Sequence, residues 1–355
     1  MHNDGITNSI INYYRNMDFT DIEIHILMTK KTDPLILKKF EESNLPIVFT
    51  DFRSHTFSYL LKTANLIRKE KYDIVHVHGS SALLSLDLLA AKLGGCRIRI
   101  AHSRNTTCNH KTLDKFLRPF FYKLCNVRFA CGTEAGKWLF GNRPFTVIKN
   151  GKNLDEFSFN SELRVNVRKE KNWDGKIVLG HVGTFNYQKN HKFLIDVFAE
   201  LQKTLPNSIL VLVGSESKNF EAAKTQVRDL GLAEKVIFTG SVNNVAELLQ
   251  GMDIMLFPSH YEGFPNVVLE WQAVGLPCLI SDKITKECAV TDLVTFLPID
   301  QGTKVWCDAV QNMPVRDREK DAENARKSLE DAGFDIVKDA ENLRYIYFQL
   351  VEDYS

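Results

Sequence analysis

Glu262 and Glu270 stand at the two ends of a segment whose residue types suit the binding of a polar, anionic molecule. The segment reads Phe257-Pro-Ser-His-Tyr-Glu-Gly-Phe-Pro-Asn-Val-Val-Leu-Glu270. Apolar residues running up to Pro258 predict a strand, Glu262 and Gly263 a loop, and Pro265 suits the first turn of a helix. The N–H groups of such a first turn have no intrahelical partners and carry the positive end of the helix dipole, so they attract anions. One carboxylate can then accept hydrogen bonds from hexose hydroxyls and the other from a ribose. Between them Gly263, Phe264, Pro265 and Asn266 form the wall against a diphosphate. A bare pair of glutamates at this common spacing is better read as two solvated helix residues. Their setting in Ser-His-Tyr-Glu-Gly-Phe-Pro-Asn, directly after an apolar strand, argues against that.

The rest of the chain supplies the scaffold such a site needs. Short apolar runs alternate with amphipathic stretches: Ile22–Met28, Ile47–Thr50, Ile74–Val77, Ile98–His102, Val127–Cys131 and Thr146–Lys149, then Lys176–Gly183, Ser208–Gly214, Val236–Thr239, Ile254–Pro258 and Pro277–Ser281. Strands that alternate with helices build parallel sheets covered on both faces. Two such series, parted by the polar stretch 155–174, predict an α/β chain of two Rossmann-like domains. The expected division is 1–155, completed by a C-terminal helix at 338–355, and 156–337. In open α/β sheets ligands bind beyond the carboxyl ends of the strands, which is where the segment 257–270 falls.

Bulk properties narrow the function. A net charge of +1 over 355 residues excludes a general nucleic-acid binder, which needs a basic excess. The seven cysteines include no C-x2-C pair and suit a reducing compartment. No run approaches 18 apolar residues, and residues 1–18 are too polar for a signal peptide. A cytoplasmic chain, peripheral on the inner face of a membrane, is the expectation. Without a G-x-G-x-x-G after an early strand, dinucleotide oxidoreduction is disfavoured.

With its flanking residues the segment 257–270 resembles the E-x7-E signature of the family 4 retaining glycosyltransferases, whose fold is GT-B: two Rossmann-like domains with parallel sheets facing a cleft. The likeness extends to Gly180-His-Val-Gly-Thr-Phe-Asn-Tyr-Gln-Lys-Asn-His191, Phe238-Thr-Gly-Ser-Val242, Ile148-Lys-Asn-Gly151 and Ile100-Ala-His-Ser103. It is closest in character to enzymes that assemble capsular polysaccharides and exopolysaccharides. The resemblance implies that Glu270 meets the ribose, Glu262 the donor sugar, and Lys189 the diphosphate, with His102 near the sugar. Catalytic roles are accordingly expected for Glu262, His102 and Lys189. Gly183, Thr184, Gly240 and Val242 are expected to line the donor site, Gly240 and Val242 through a loop that reads the base. Thr184 departs from the arginine found there in many relatives, and so supplies a hydroxyl without a charge.

Asn3–Asn8, with Gly5, resembles the glycine loop that covers the donor, placed before a helix at Ser9–Asn16. Relatives carry a complete strand before this loop, and here only Met1 and His2 precede it, so the first strand of the N-terminal domain is expected to be missing. Residues 97–128 hold eight basic side chains against the single acid Asp114. Arg104, Lys111, Lys115, Arg118, Phe120 and Lys123 are expected to form a patch for anionic lipid and for a lipid-linked glycan acceptor. The expected reaction moves a sugar from a nucleotide donor, UDP-linked by expectation, with retention. It requires neither cofactor nor metal, as there is no D-x-D in the chain. Two other readings remain open: a sugar-nucleotide epimerase or hydrolase of the same fold, and a non-catalytic nucleotide-binding remnant.

Overall fold

A computed structural model describes residues 5–29, 32, 34–42 and 45–355. The chain forms two compact units, Met1–Gly151 with Gly333–Ser355, and Lys152–Ala332. It passes between them at Gly151/Lys152 and returns at Ala332/Gly333.

The first unit runs α1 (Gly5–Arg15), β1 (Ile26–Thr29), α2 (Pro34–Glu41), β2 (Ile47–Thr50), α3 (Thr56–Glu70), β3 (Ile74–Gly79), α4 (Ser85–Leu93), β4 (Ile98–Ser103), α5 (Lys111–Leu124), β5 (Val127–Ala130), α6 (Thr133–Phe140) and β6 (Thr146–Val147). Its strands fall into two parallel sheets, β1-β2 and β3-β4-β5-β6. Tyr13, Tyr14, Met28, Ile100 and Phe129 nevertheless share one core that joins both sheets to α1. The expectation of a missing strand concerns chain ahead of residue 3, outside the described residues. The glycine loop is shorter than expected: Gly5 already opens α1, and Thr7 in its first turn is buried. Asn3 and Asp4 lie outside the described residues.

The second unit begins with α7 (Ser161–Glu170), inside the stretch whose polarity suggested a separator. That polarity has a structural use. Arg164 and Arg168 both reach the Asp253 carboxylate, at 2.5 and 3.1 Å, and tie the helix to the sheet. There follow β7 (Ile177–Val182), α8 (His191–Leu201), β8 (Ser208–Val213), α9 (Phe220–Asp229), β9 (Val236–Gly240), α10 (Val245–Gly251), β10 (Ile254–Phe257), α11 (Asn266–Ala273), β11 (Cys278–Ser281), β12 (Val294–Leu297), α12 (Thr303–Gln311) and α13 (Arg318–Asp331). The six strands are parallel, in the order β12-β11-β10-β7-β8-β9.

Successive strands therefore step from β7 outward through β8 to β9, then reverse and step from β10 through β11 to β12. The reversal falls between β7 and β10, and in such sheets the loops beyond that switch point are where ligands bind. β7, β8 and β10 are largely buried and nearly continuous in apolar residues, as strands covered on both faces must be. The final helix α14 (Ile336–Asp353) belongs to the first unit, where Leu343 and Tyr347 enter the core. No helix among the described residues is long and apolar enough to cross a membrane.

Candidate donor site at the switch point

Two loops meet beyond β7 and β10. Gly183 follows β7, and Gly214 follows β8 so closely that a β-carbon there would lie 2.0 Å from the Gly183 carbonyl oxygen. The close approach requires glycine at Gly214, and it fixes where the loop of residues 184–190 begins. Within that loop Asn186 accepts a hydrogen bond from the Lys189 amide at 3.1 Å. Asn190, in the left-handed region at φ 54°, precedes α8. Two bonds stitch the loop to its neighbour: Asn190 donates to the Pro258 carbonyl at 3.1 Å, and the His260 amide to the Gln188 carbonyl at 2.8 Å.

This arrangement brings Lys189 to Glu262. The ammonium lies 2.8 Å from Glu262 Oε1, with side-chain exposures of only 16% and 7%, and Gln188 donates to Oε2 at 2.8 Å. Lys189 also stands 4.5 Å from the centre of the Phe257 ring, within range of a cation–π attraction. Beneath it are two histidines held below their ordinary pKa, His181 far below and His191 at about 4. Burial is the main cause and nearby charge, including the Lys189 ammonium, the lesser one. Neutral imidazoles there leave the local positive charge on Lys189.

Pro265 occupies the cap position ahead of α11 rather than its first turn, which starts at Asn266. Gly263, Phe264 and Pro265 are buried and form the wall leading into that turn. α11 is firmly anchored. Trp271 is fully buried against Phe257, with ring centres 5.3 Å apart. Gln272 donates to the Cys288 carbonyl at 2.8 Å and accepts from the amides of Val290 and Thr291. Glu270, on the same helix, meets a residue the sequence motifs did not single out: Lys152 donates to its Oε1 at 2.6 Å. Thr184 shares a 3.0 Å hydrogen bond with Ser215. Gly240 adopts φ 69°, a left-handed turn that suits glycine, and Val242 is half-buried in the loop that follows.

His102 and Gly5 belong to the first unit. His102 is fully buried on β4, directly opposite His78 on β3. His76 links it to the helix layer: Tyr347 OH lies 2.7 Å from His76 Nδ1, and His76 Nε2 lies 3.0 Å from His102 Nδ1. With Tyr347 donating, His76 donates in turn and His102 presents a protonated Nε2, the nitrogen that has no partner among the described residues. All three imidazoles are held well below the ordinary pKa. Burial is the chief cause, helped by the nearby Arg104 guanidinium. Their ligand atoms lie within 4.8 Å of one another. A cation is nonetheless disfavoured, since Arg104 donates to His78 Nδ1 at 3.1 Å and the other two rings bond to each other.

Two members of the expected basic patch are corrected. Arg104, the residue after β4, is buried and spent on His78 and on Asn150 Oδ1 at 2.7 Å. Arg118 turns inward to Asp114 at 2.8 Å and to the Trp138 carbonyl at 2.9 Å. The outer face of α5 keeps Lys111, Lys115 and Lys123, with Phe116 69% and Phe120 57% exposed.

The two halves of this arrangement match two sequence families. Residues 3–156 match Glycosyltransferase Family 4, and residues 164–304 match Glycosyl transferases group 1. A Bacillus subtilis protein that carries the name glycosyltransferase EpsF is 29% identical over 98% of this chain and 94% of its own. The Escherichia coli UDP-Gal:alpha-D-GlcNAc-diphosphoundecaprenol alpha-1,3-galactosyltransferase is 28% identical over 82% of this chain and 79% of its own. Among solved structures, Anabaena Alr3699/HepE with UDP and glucose superposes with a TM-score of 0.80 at 15% identity, covering 98% of this chain and 96% of that one. The chain belongs to the family 4 glycosyltransferases and has their GT-B fold.

Proposed function

We propose that the chain transfers a hexose from a UDP-sugar, with retention, to a lipid-linked glycan in the synthesis of a surface polysaccharide. The observation that carries the donor half is the buried Lys189–Glu262 pair at the switch point, beside the start of α11. In this reading the diphosphate lodges between Lys189 and the first turn of α11. Glu262 then gives up part of its ion pair to accept hydroxyls of the sugar, and Glu270 accepts those of the ribose. As the bond from the anomeric carbon to phosphate breaks, its electron pair leaves with the diphosphate. The growing charge is met by a fixed ammonium and helix N–H groups, which favour the transition state over the ground state. The acceptor hydroxyl attacks from the same face, and its proton passes to the departing phosphate oxygen. His102, whose buried Nε2 is left to donate by the chain of bonds from Tyr347, is suited to hold a sugar hydroxyl.

The names of the relatives support the remaining details. One acts from UDP-Gal onto a sugar on diphosphoundecaprenol, and a Staphylococcus aureus relative at 24% identity is named for capsular polysaccharide biosynthesis. The exposed lysines and phenylalanines of α5 would rest on the anionic membrane that carries such an acceptor. A panel of nucleotide sugars tested by thermal shift and by turnover, with and without a polyprenyl-diphosphate sugar, examines this reading. A UDP-sugar that stabilises the parent but not Glu270→Ala supports it. Turnover of the free donor to an epimer, with no transfer to any acceptor, refutes it.

A further inference from the structure

We propose that Lys152 is a positioning residue for the donor: its ammonium holds the Glu270 carboxylate in the orientation that accepts the ribose hydroxyls. The inference rests on the reading of Glu270 as the ribose ligand. Lys152 is the first residue of the second unit and lies 118 positions from Glu270. The side chains of the pair are 7% and 15% exposed. A lysine is rarely taken out of water at all, because its compact ammonium is strongly hydrated; burial requires a partner. Lys152 is the sole side-chain partner of Glu270 among the described residues.

Both ends of this contact are held by their surroundings. On the lysine side, Asn153 accepts from the amides of Asp155 and Glu156, at 3.1 and 3.2 Å, and closes the turn that follows Lys152. On the glutamate side, Trp271 and Gln272 clamp α11 into the core. The ammonium occupies Oε1, which turns the second oxygen into the acceptor for a diol. It also adds a positive charge beside the donor, where Thr184 supplies none.

The test compares UDP with 2′,3′-dideoxy-UDP by titration calorimetry on the full chain, Lys152→Met, Lys152→Arg and Glu270→Ala. Hydrogen bonds to a charged group give the parent roughly a 30-fold preference for UDP, and Glu270→Ala abolishes it. Lys152→Met is expected to lower the preference to about threefold, with the donor KM rising and kcat little changed, and Lys152→Arg to restore most of it. A cooperatively folded Lys152→Met that keeps the parent's preference overturns the inference and leaves the ribose reading standing. A parent that does not distinguish the two nucleotides overturns that reading and the inference with it. Should Lys152→Met fail to fold, Lys152→Gln reads the same ratio: a fall of about fivefold or more is expected, and an unchanged ratio is contrary.

Discussion

Replacing Lys189 by methionine separates what the Lys189–Glu262 pair does for stability from what it does for catalysis. The two charged groups lie 2.8 Å apart with exposures of 16% and 7%, so little solvent screens them. Removing one partner of such a buried pair leaves the other uncompensated and costs about 3–5 kcal/mol. The Gln188 amide still donates to Glu262 at 2.8 Å, which favours the low end, about 3 kcal/mol. For a unit the size of Lys152–Ala332, each kcal/mol moves the melting temperature by about 2–4 °C. Lys189→Met is therefore expected to melt roughly 6–12 °C below the parent. Adding Glu262→Gln removes the stranded charge, so the double variant recovers most of that loss, since a buried pair and a neutral pair of similar shape differ little. Activity behaves differently. The ammonium is needed when the leaving diphosphate gains charge, and kcat falls roughly 100- to 1,000-fold in Lys189→Met and at least as far in the double variant, which also lacks the Glu262 carboxylate that meets the sugar. Calorimetric melting and donor turnover on the parent, the single variants Lys189→Met and Glu262→Gln, and the double variant measure both quantities. Stability losses that simply add, or activity restored along with stability, would refute the reasoning.

Phe116→Ser with Phe120→Ser is expected to weaken binding to vesicles of anionic lipid at least tenfold without changing the melting temperature, because both rings are exposed; unchanged vesicle sedimentation contradicts this. Gly151→Ala forces a β-carbon to within 2.4 Å of Asp339 Oδ2 and 2.7 Å of the Ile336 backbone. The cost is about 1–3 kcal/mol in denaturant titration. Gly151→Ala with Asp339→Ala is expected to relieve only part of it, as the backbone contact remains, and full relief would be contrary. Burial, its main cause, raises the Asp339 carboxyl to about 7, against an opposing pull from Lys149. The folded chain thus holds this proton to higher pH than the unfolded chain. The stability it brings is complete below about pH 4 and is lost as pH rises through 7. Asp339→Asn is expected to melt with the parent near pH 4 and several degrees above it at pH 8; an equal difference at both values refutes the assignment.

What the sequence revealed depended on how locally each feature is written. The strand, loop and helix around Glu262 lie in one continuous segment, so apolar run, Gly263 and Pro265 announce them in order. The parallel sheet of the second unit follows from strands such as Ser208–Val213, fully buried and apolar from Ile209 onward. Lys152 stayed hidden because its partner is 118 positions away and a lone lysine after Asn-Gly carries no signal of burial. Arg104 misled for the same reason. Its charge counted toward a patch, while the two neutral partners that bury it, His78 and Asn150, lie 26 and 46 positions off. α7 looked like a separator because its arginines are spent on Asp253 rather than on solvent.

The central claim is that a donor diphosphate lodges between Lys189 and the first turn of α11. A crystal structure of the chain with a UDP-sugar tests it most directly. The account predicts both phosphorus atoms beside the Lys189 ammonium and the Asn266 end of α11, with Glu262 turned toward the sugar. A nucleotide bound elsewhere, with Lys189 still closed on Glu262, would contradict it.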